Sequence, residues 1–164
     1  VVSDVFPGKS SLGGLYSGML SAREDYVLAI ACDMPFVKPD LLRYMISLMY
    51  KYDVVIPRAR GPSGITPRSS RERKPREGTV PPRSDQPLAK DQDLHPMHAI
   101  YGKRCLPTIA ERLRLDDLRL IGFLSDVRTR VVEANEIDRF DPEHLSFFNA
   151  NTPEDLEIAK RLSG

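Results

Sequence analysis

The sequence predicts an α/β fold built on a doubly wound, mostly parallel sheet. Three features of the chain carry that expectation. Short runs dense in aliphatic residues recur at Tyr26 to Ala31, Asp53 to Pro57, Met97 to Tyr101 and Thr129 to Ala134, each too short for a stable helix. Between them lie segments whose apolar residues fall at helical spacing, most clearly Leu41, Leu42, Met45, Ile46 and Met49. Finally, the strand-like runs are continuous rather than alternating, as strands covered on both faces require. Strands alternating with helices give a sheet with helices on both sides.

Taken in order, Val1 and Val2 read as the end of a strand leading into Ser3, Asp4 and the turn formers Pro7 and Gly8. Gly13 and Gly14 read as a tight turn, followed by a helix from about Leu15 to before Asp25. The strand YVLAIA is closed by Pro35, and Pro39 with Asp40 opens a helix, proline pre-set for the first turn and the acid near the positive end of the dipole. DVVIP and MHAIY are the next two strands. Pro107 to Leu113 is a helix, and Asp116 is expected to cap another that runs to about Leu124. After the strand from Thr129, the chain closes on a helix with Thr152 as its cap, Pro153 first and Glu154 and Asp155 in the first turn.

With 164 residues, 41% hydrophobic and 29% charged, the chain fits one ordinary globular domain with a real core. A net charge of +1 gives no overall pull toward nucleic acid or membrane, and no apolar run reaches the length of a membrane span. The charge is unevenly placed. Arg58 to Asp93 holds nine Lys/Arg against five Asp/Glu, with six prolines and three glycines, on a body that is mildly acidic. So little apolar surface cannot offset the entropy of ordering it. The expected organisation is therefore one domain formed by 1–57 and 94–164, with 58–93 a disordered basic insertion. The insertion lacks the aromatics that stack on bases, so nucleic acid is not an expected partner. Cys32 and Cys105 are far apart and lack metal-ligand spacing, which fits reduced thiols in a cytoplasmic protein.

Ligands of a doubly wound sheet gather beyond the carboxyl ends of its strands. Asp33 is delivered there, because its strand ends at Ala31 and Pro35 turns the chain away. Position leaves it two roles, a Mg²⁺ ligand beside a nucleotide or a cap for the following segment. Asp4 follows the Val-Val strand end in the same manner and could equally be loop chemistry. Gly13 and Gly14 could admit a ligand close to the backbone or simply make a turn. Asn149 and Asn151 flank a strand-to-helix junction, where Asn151 can also organise the turn before the cap. His95 and His98 read as polar residues leading into a strand, and His144 as a surface residue.

The segments SDVFPGKSSLGGLYSGML, VLAIACDMPFVKPDLL, VVIP, HPMHAIYGKRCLPTI and FFNANTPEDLEIAKRL, in this order, resemble molybdenum cofactor guanylyltransferases, the MobA-like nucleotidyltransferases. The resemblance covers nearly all of the chain outside Arg58 to Asp93, and DMPF and NANTPEDL are its most specific parts. It implies a Rossmann-like domain that transfers GMP from GTP to the terminal phosphate of molybdopterin, releasing pyrophosphate with the help of Mg²⁺. Asp33 matches the family's catalytic, Mg²⁺-binding aspartate and Asp4 the aspartate that contacts the nucleotide. Gly13 and Gly14 match a turn lining the nucleotide side, and Asn149 and Asn151 the asparagines facing the pterin. GTP and molybdopterin are the implied substrates, with relatives that use CTP leaving the base open, and molybdoenzymes or their chaperones are implied partners.

Two departures from the family pattern shape the expectation. Nothing in the chain matches the opening strand and glycine-rich LAGGxSxRMG loop that wraps the triphosphate, so the sheet is expected to be incomplete at its N-terminal side. In the family's strand order this leaves Val1-Val2 without a proper partner and one edge of the Tyr26 strand unpaired. The second departure is the insertion. On these grounds the chain as written is expected not to transfer GMP. The alternatives are a non-catalytic protein binding the cofactor or a partner enzyme, and a CTP- or sugar-type nucleotidyltransferase of the same fold.

Overall fold

The computed structural model describes residues 10–62 and 93–163. Four strands form one sheet: β1 (Tyr26–Ile30), β2 (Val54–Pro57), β3 (His98–Gly102) and β4 (Thr129–Val132). Their order across the sheet is β1-β3-β2-β4. β2 and β4 pair in parallel, while β3 runs antiparallel to both its neighbours, with Ile30 opposite His98 and Tyr26 opposite Gly102. Three strands thus point one way and β3 the other, so the sheet is mixed. The reversal has a visible cause at the near ends of the insertion. Arg58 forms an antiparallel bridge to Leu94, and Ala59 N–H donates to the Asp93 carbonyl, so the chain returns beside β2 where it left. The remaining residues of the segment expected to be an insertion, like Val1, Val2 and Asp4, lie outside the described residues.

Helices cover both faces. Residues of β2 alternate between two cores, Val54 and Ile56 to one side and Val55 to the other, as the two-residue period of a strand dictates. The first core takes Leu12, Leu15 and Met19 of α1 (Ser10–Ser21) and Ile109 and Leu113 of α3 (Leu106–Arg114), closed by Phe123. The second takes Leu41 and Met45 of α2 (Pro39–Leu48), Ile137 of α4 (Ala134–Ile137) and Phe147. Leu41 and Met45 are fully enclosed, which contributes about 2 kcal/mol each from burial. The closing helix α5 (Pro153–Ser163) starts as the sequence predicts: Thr152 Oγ1 accepts from Asp155 N–H at 3.1 Å, and the Asp155 carboxylate accepts from Thr152 N–H at 3.0 Å.

Three local expectations are corrected. Gly13 and Gly14 are not a turn. They lie within α1, where Ser17 Oγ donates to the Gly13 carbonyl at 2.9 Å, and the packing of Leu12, Leu15 and Met19 outweighs the poor helix propensity of glycine. Asp116 opens no helix. It sits at φ 60°, and the segment after it is held by Asp117, whose carboxylate accepts from Arg112 and Arg119 at 2.9 Å each. Only a short 3₁₀ turn at Leu124–Asp126 follows. β1, expected to be covered on both faces, has Tyr26 and Leu28 exposed at 41% and 38%. It is the end strand, paired among the described residues with β3 alone.

Candidate functional site

Because β1, β2 and β4 share a direction, their carboxyl ends form one edge, and the reversed β3 brings its amino end, His98, to the same place. The loop after β1 carries Asp33; the strand extension after β2 carries Arg58; Glu133 follows β4. The Phe147–Asn151 segment joins them there. Ala150 N–H donates to the Asp33 main-chain carbonyl at 2.8 Å, Ser146 Oγ donates to the Phe36 carbonyl at 3.3 Å, and the rings of Phe148 and Phe36 lie 5.9 Å apart. The Asp33 loop and the segment carrying Asn149 are thus brought together from positions far apart in sequence.

Both carry an atom of the same kind. Asp33 Oδ1 and Asn149 Oδ1 are buried acceptor oxygens without a hydrogen-bond partner among the described residues. Such atoms are costly unless something else meets them. Hard oxygen donors on adjoining segments suit Mg²⁺, which takes one or two protein oxygens and completes its shell with phosphate oxygens and water. Among the described residues no group of three or more His, Cys, Asp or Glu gathers around one point, so a cation here would depend on its substrate for most of its ligands. Asn151 is placed differently. It is exposed, and its backbone N–H is given to Asp155 at 3.2 Å, so it braces the start of α5. Gly13 and Gly14 lie in the first turns of α1. Since the short Ala22–Asp25 connection sends α1 back along β1, those turns sit at the edge where β1 ends. Asp4 is outside the described residues.

The histidines were read too plainly from sequence. His98 is fully buried, with both ring nitrogens lacking partners among the described residues. His95 Nε2 meets the Ala59 carbonyl at 2.8 Å, and its ring lies 4.4 Å from that of Phe147. His98 approaches the same ring at 5.2 Å and His144 at 6.1 Å edge-on. His144 is no free surface residue: its ring nitrogens meet the Arg60 carbonyl at 2.9 Å and Asp138 Oδ1 at 2.7 Å. Three imidazoles therefore clasp Phe147 and fix the segment carrying Asn149. Burial first, then the neighbouring His95, pushes the His98 imidazole down to about 4, with Asp141 pulling the other way. His98 is consequently neutral in the folded protein near neutral pH. The available signal was the strand MHAIY itself, since a strand covered on both faces must bury its histidine too.

At the opposite, amino edge, the buried Asp53 accepts from Arg128 Nε and Nη2 at 3.0 Å each and pairs with Arg104 Nε at 2.9 Å. The hydrogen bonds from Arg128 hold its carboxyl below the usual carboxylate range despite burial. Cys32 and Cys105 are both free thiols; Cys105 is buried, which pushes it up to about 12, whereas Cys32 is exposed beside Asp33.

Residues 1–128 match the family model described as the MobA-like NTP transferase domain. A protein of Pelotomaculum thermopropionicum named "Probable molybdenum cofactor guanylyltransferase" is 31% identical over 99% of this chain and 64% of its own length. The molybdenum cofactor guanylyltransferase of Syntrophotalea carbinolica is 29% identical, covering 98% of the chain and 63% of the relative. Among solved structures, molybdopterin-guanine dinucleotide biosynthesis protein A from Archaeoglobus fulgidus superposes with a TM-score of 0.63 at 21% identity, over 93% of this chain and 62% of that one. That last likeness speaks to the fold. The chain spans somewhat less than two thirds of the length of these relatives.

Proposed function

The chain belongs to the MobA-like NTP transferase domain family, and from that premise we propose that its carboxyl edge is where GMP passes from Mg²⁺-bound GTP to the phosphate of molybdopterin. The observation that carries this reading is that two enclosed oxygens without a partner among the described residues, Asp33 Oδ1 and Asn149 Oδ1, lie on segments joined by the Ala150 to Asp33 main-chain hydrogen bond. Transfer at phosphorus asks little covalent help of a protein. It asks for charge neutralisation and for two phosphates held in line. A divalent cation bound here would supply the neutralisation. Asp33 would hold it, Asn149 would stand at the border between nucleotide and pterin, and Gly13 and Gly14 at the start of α1 would face the nucleotide. Asp4 belongs to the nucleotide side in this reading and Asn151 to the pterin side, where it acts through the start of α5. Molybdoenzymes or their chaperones would then receive the product.

Because the chain as written is expected not to transfer GMP without the glycine-rich loop, the test is pyrophosphate release from GTP and molybdopterin, across a Mg²⁺ titration, by the chain supplied with that loop. Release that depends on Mg²⁺ and falls roughly 100-fold or more in Asp33→Asn is the expected result. Unimpaired release by that variant overturns the assignment. A binding protein without transfer activity would retain pterin in Asp33→Ala while releasing no pyrophosphate even as wild type.

A further inference from the structure

Asn149 is carried by a stretch that two buried carboxylates hold, one from each end. Upstream, Asp141 engages the backbone with both oxygens: Oδ1 accepts from Leu145 N–H at 3.1 Å and Oδ2 from Ser146 N–H at 2.7 Å. Downstream, Asp155 uses Oδ2 alone, which accepts from Asn151 N–H at 3.2 Å and Thr152 N–H at 3.0 Å. Between these clamps the stretch rests on the loop after β1 at three points. Ser146 Oγ donates to the Phe36 carbonyl, the Phe148 ring lies against the Phe36 ring, and Ala150 N–H donates to the Asp33 carbonyl. Asn149 lies between the second point and the third.

The upstream clamp holds an unfavourable bend. His144 takes φ 56°, a region that residues other than glycine seldom adopt. Its N–H donates to the Asp141 carbonyl at 2.9 Å, so the main chain and side chain of Asp141 close the turn together. Hydrogen bonds to an ionised carboxylate are stronger than neutral ones, which suits them to that task. We propose that Asp141 is a positioning residue for the transfer reaction: its two struts set where Asn149 stands against the Asp33 loop, while Asp155 holds the far end. This rests on the function proposed above and adds what places the oxygen of Asn149.

The two acids differ in a way that separates placement from charge. A side-chain amide offers one acceptor oxygen and an NH₂ donor. At Asp155 that one oxygen can still take both N–H groups, as Oδ2 does now. At Asp141 the two N–H groups need two oxygens, so the amide nitrogen would face one of them, donor against donor. One strut then opens. Removing the same charge is therefore tolerated at one end of the stretch and loosens it at the other.

The test has two arms. The first is native-state amide hydrogen exchange on the chain itself. Asp141→Asn is expected to speed exchange at Ala150 roughly 10-fold or more and to leave Val55 and Ile100 of the sheet unchanged. Asp155→Asn should leave all three amides as they are. Wild-type protection at Ala150 in Asp141→Asn overturns the inference, as does an equal loss at all three amides. The second arm is pyrophosphate release by the chain supplied with the glycine-rich loop. Asp141→Asn should lower kcat about 10-fold with KM for GTP unchanged, and cause no further loss once Asn149 is Ala. A full further loss in that background means that Asp141 does not act through Asn149, and also overturns the inference. If Asp141→Asn does not fold, Ser146→Ala replaces it, since it keeps the turn and removes only the contact with the Phe36 carbonyl. It should speed Ala150 exchange about threefold, and wild-type exchange there is the overturning result. A wild-type chain with the loop that releases no pyrophosphate removes the proposed function, whereas the exchange pattern decides the placement of Asn149 by itself.

Discussion

Asp53 and Asp33 lie at opposite edges of one sheet, and the fold treats them in opposite ways. Asp53 is buried and fully met: two arginines, one of them from 75 positions away, converge on its carboxylate. Asp33 keeps an enclosed oxygen that nothing in the described chain satisfies, and Asn149 on the adjoining segment does the same. An acid whose partners are all supplied from within is part of what holds the fold together. An acid left short of partners costs stability, and that cost is offset when something from outside binds.

The comparison is sharpest in stability. Asp53→Ala is expected to cost about 3 kcal/mol in urea unfolding, near the low end for breaking a buried pair because both arginines are more than half exposed. Asp33→Ala is expected to change stability by less than about 0.5 kcal/mol while removing Mg²⁺ binding, since it deletes an acceptor that lacks a donor. A loss at Asp33 as large as that at Asp53 would break the contrast.

The pH dependence separates the edges as well. The folded Asp53 carboxyl lies below its ordinary 3.8, so its contribution is complete above the unfolded value and is lost as pH falls through the folded one. Asp53→Asn should flatten the acid limb below about pH 4. His98 acts at milder acidity. Its folded value near 4 lies below the ordinary 6.5, so the unfolded chain binds the extra proton first. Stability is full above 6.5 and declines as pH falls toward 4. His98→Leu should remove that decline and be near neutral at pH 8, measured by melting across the range. A loss above about 2 kcal/mol at pH 8 would mean that the ring nitrogens do have partners, such as buried water. The smallest effect belongs to the exposed network at Asp117. Arg119→Ala should cost no more than about 0.5 kcal/mol and less still in high salt, because Arg119 is 62% exposed.

Much of this was legible in the sequence where the signal was local. The apolar runs located the four described strands, Pro39 and the Thr152–Asp155 pair located two helix starts, and Asp33 was placed at the carboxyl edge of the sheet by the strand before it. What was missed depends on distant partners. The helix through Gly13 and Gly14 exists because three of its side chains reach a core built by residues far down the chain. Asp116 resembles a helix cap until Asp117 is drawn to Arg112 and Arg119. α4 is opened by Glu133 and Glu136 acting on each other's backbone, a pattern without the usual Ser or Thr. The direction of β3 could not be read, since it depends on a bridge across 36 positions between Arg58 and Leu94. Asn149 was found through a motif, yet its place beside Asp33 rests on a main-chain hydrogen bond that no side-chain pattern reveals.

That bridge has a consequence for how such a chain can change over time. Arg58 and Leu94 are paired at the rim of the sheet, and Ala59 is tied to Asp93 just beyond them, so the two ends of the intervening segment are pinned whatever lies between. Closing a longer loop between fixed ends costs little, about 0.6 kcal/mol for each doubling of its length. Residues can be added or lost there without shifting the register of β2 or β3.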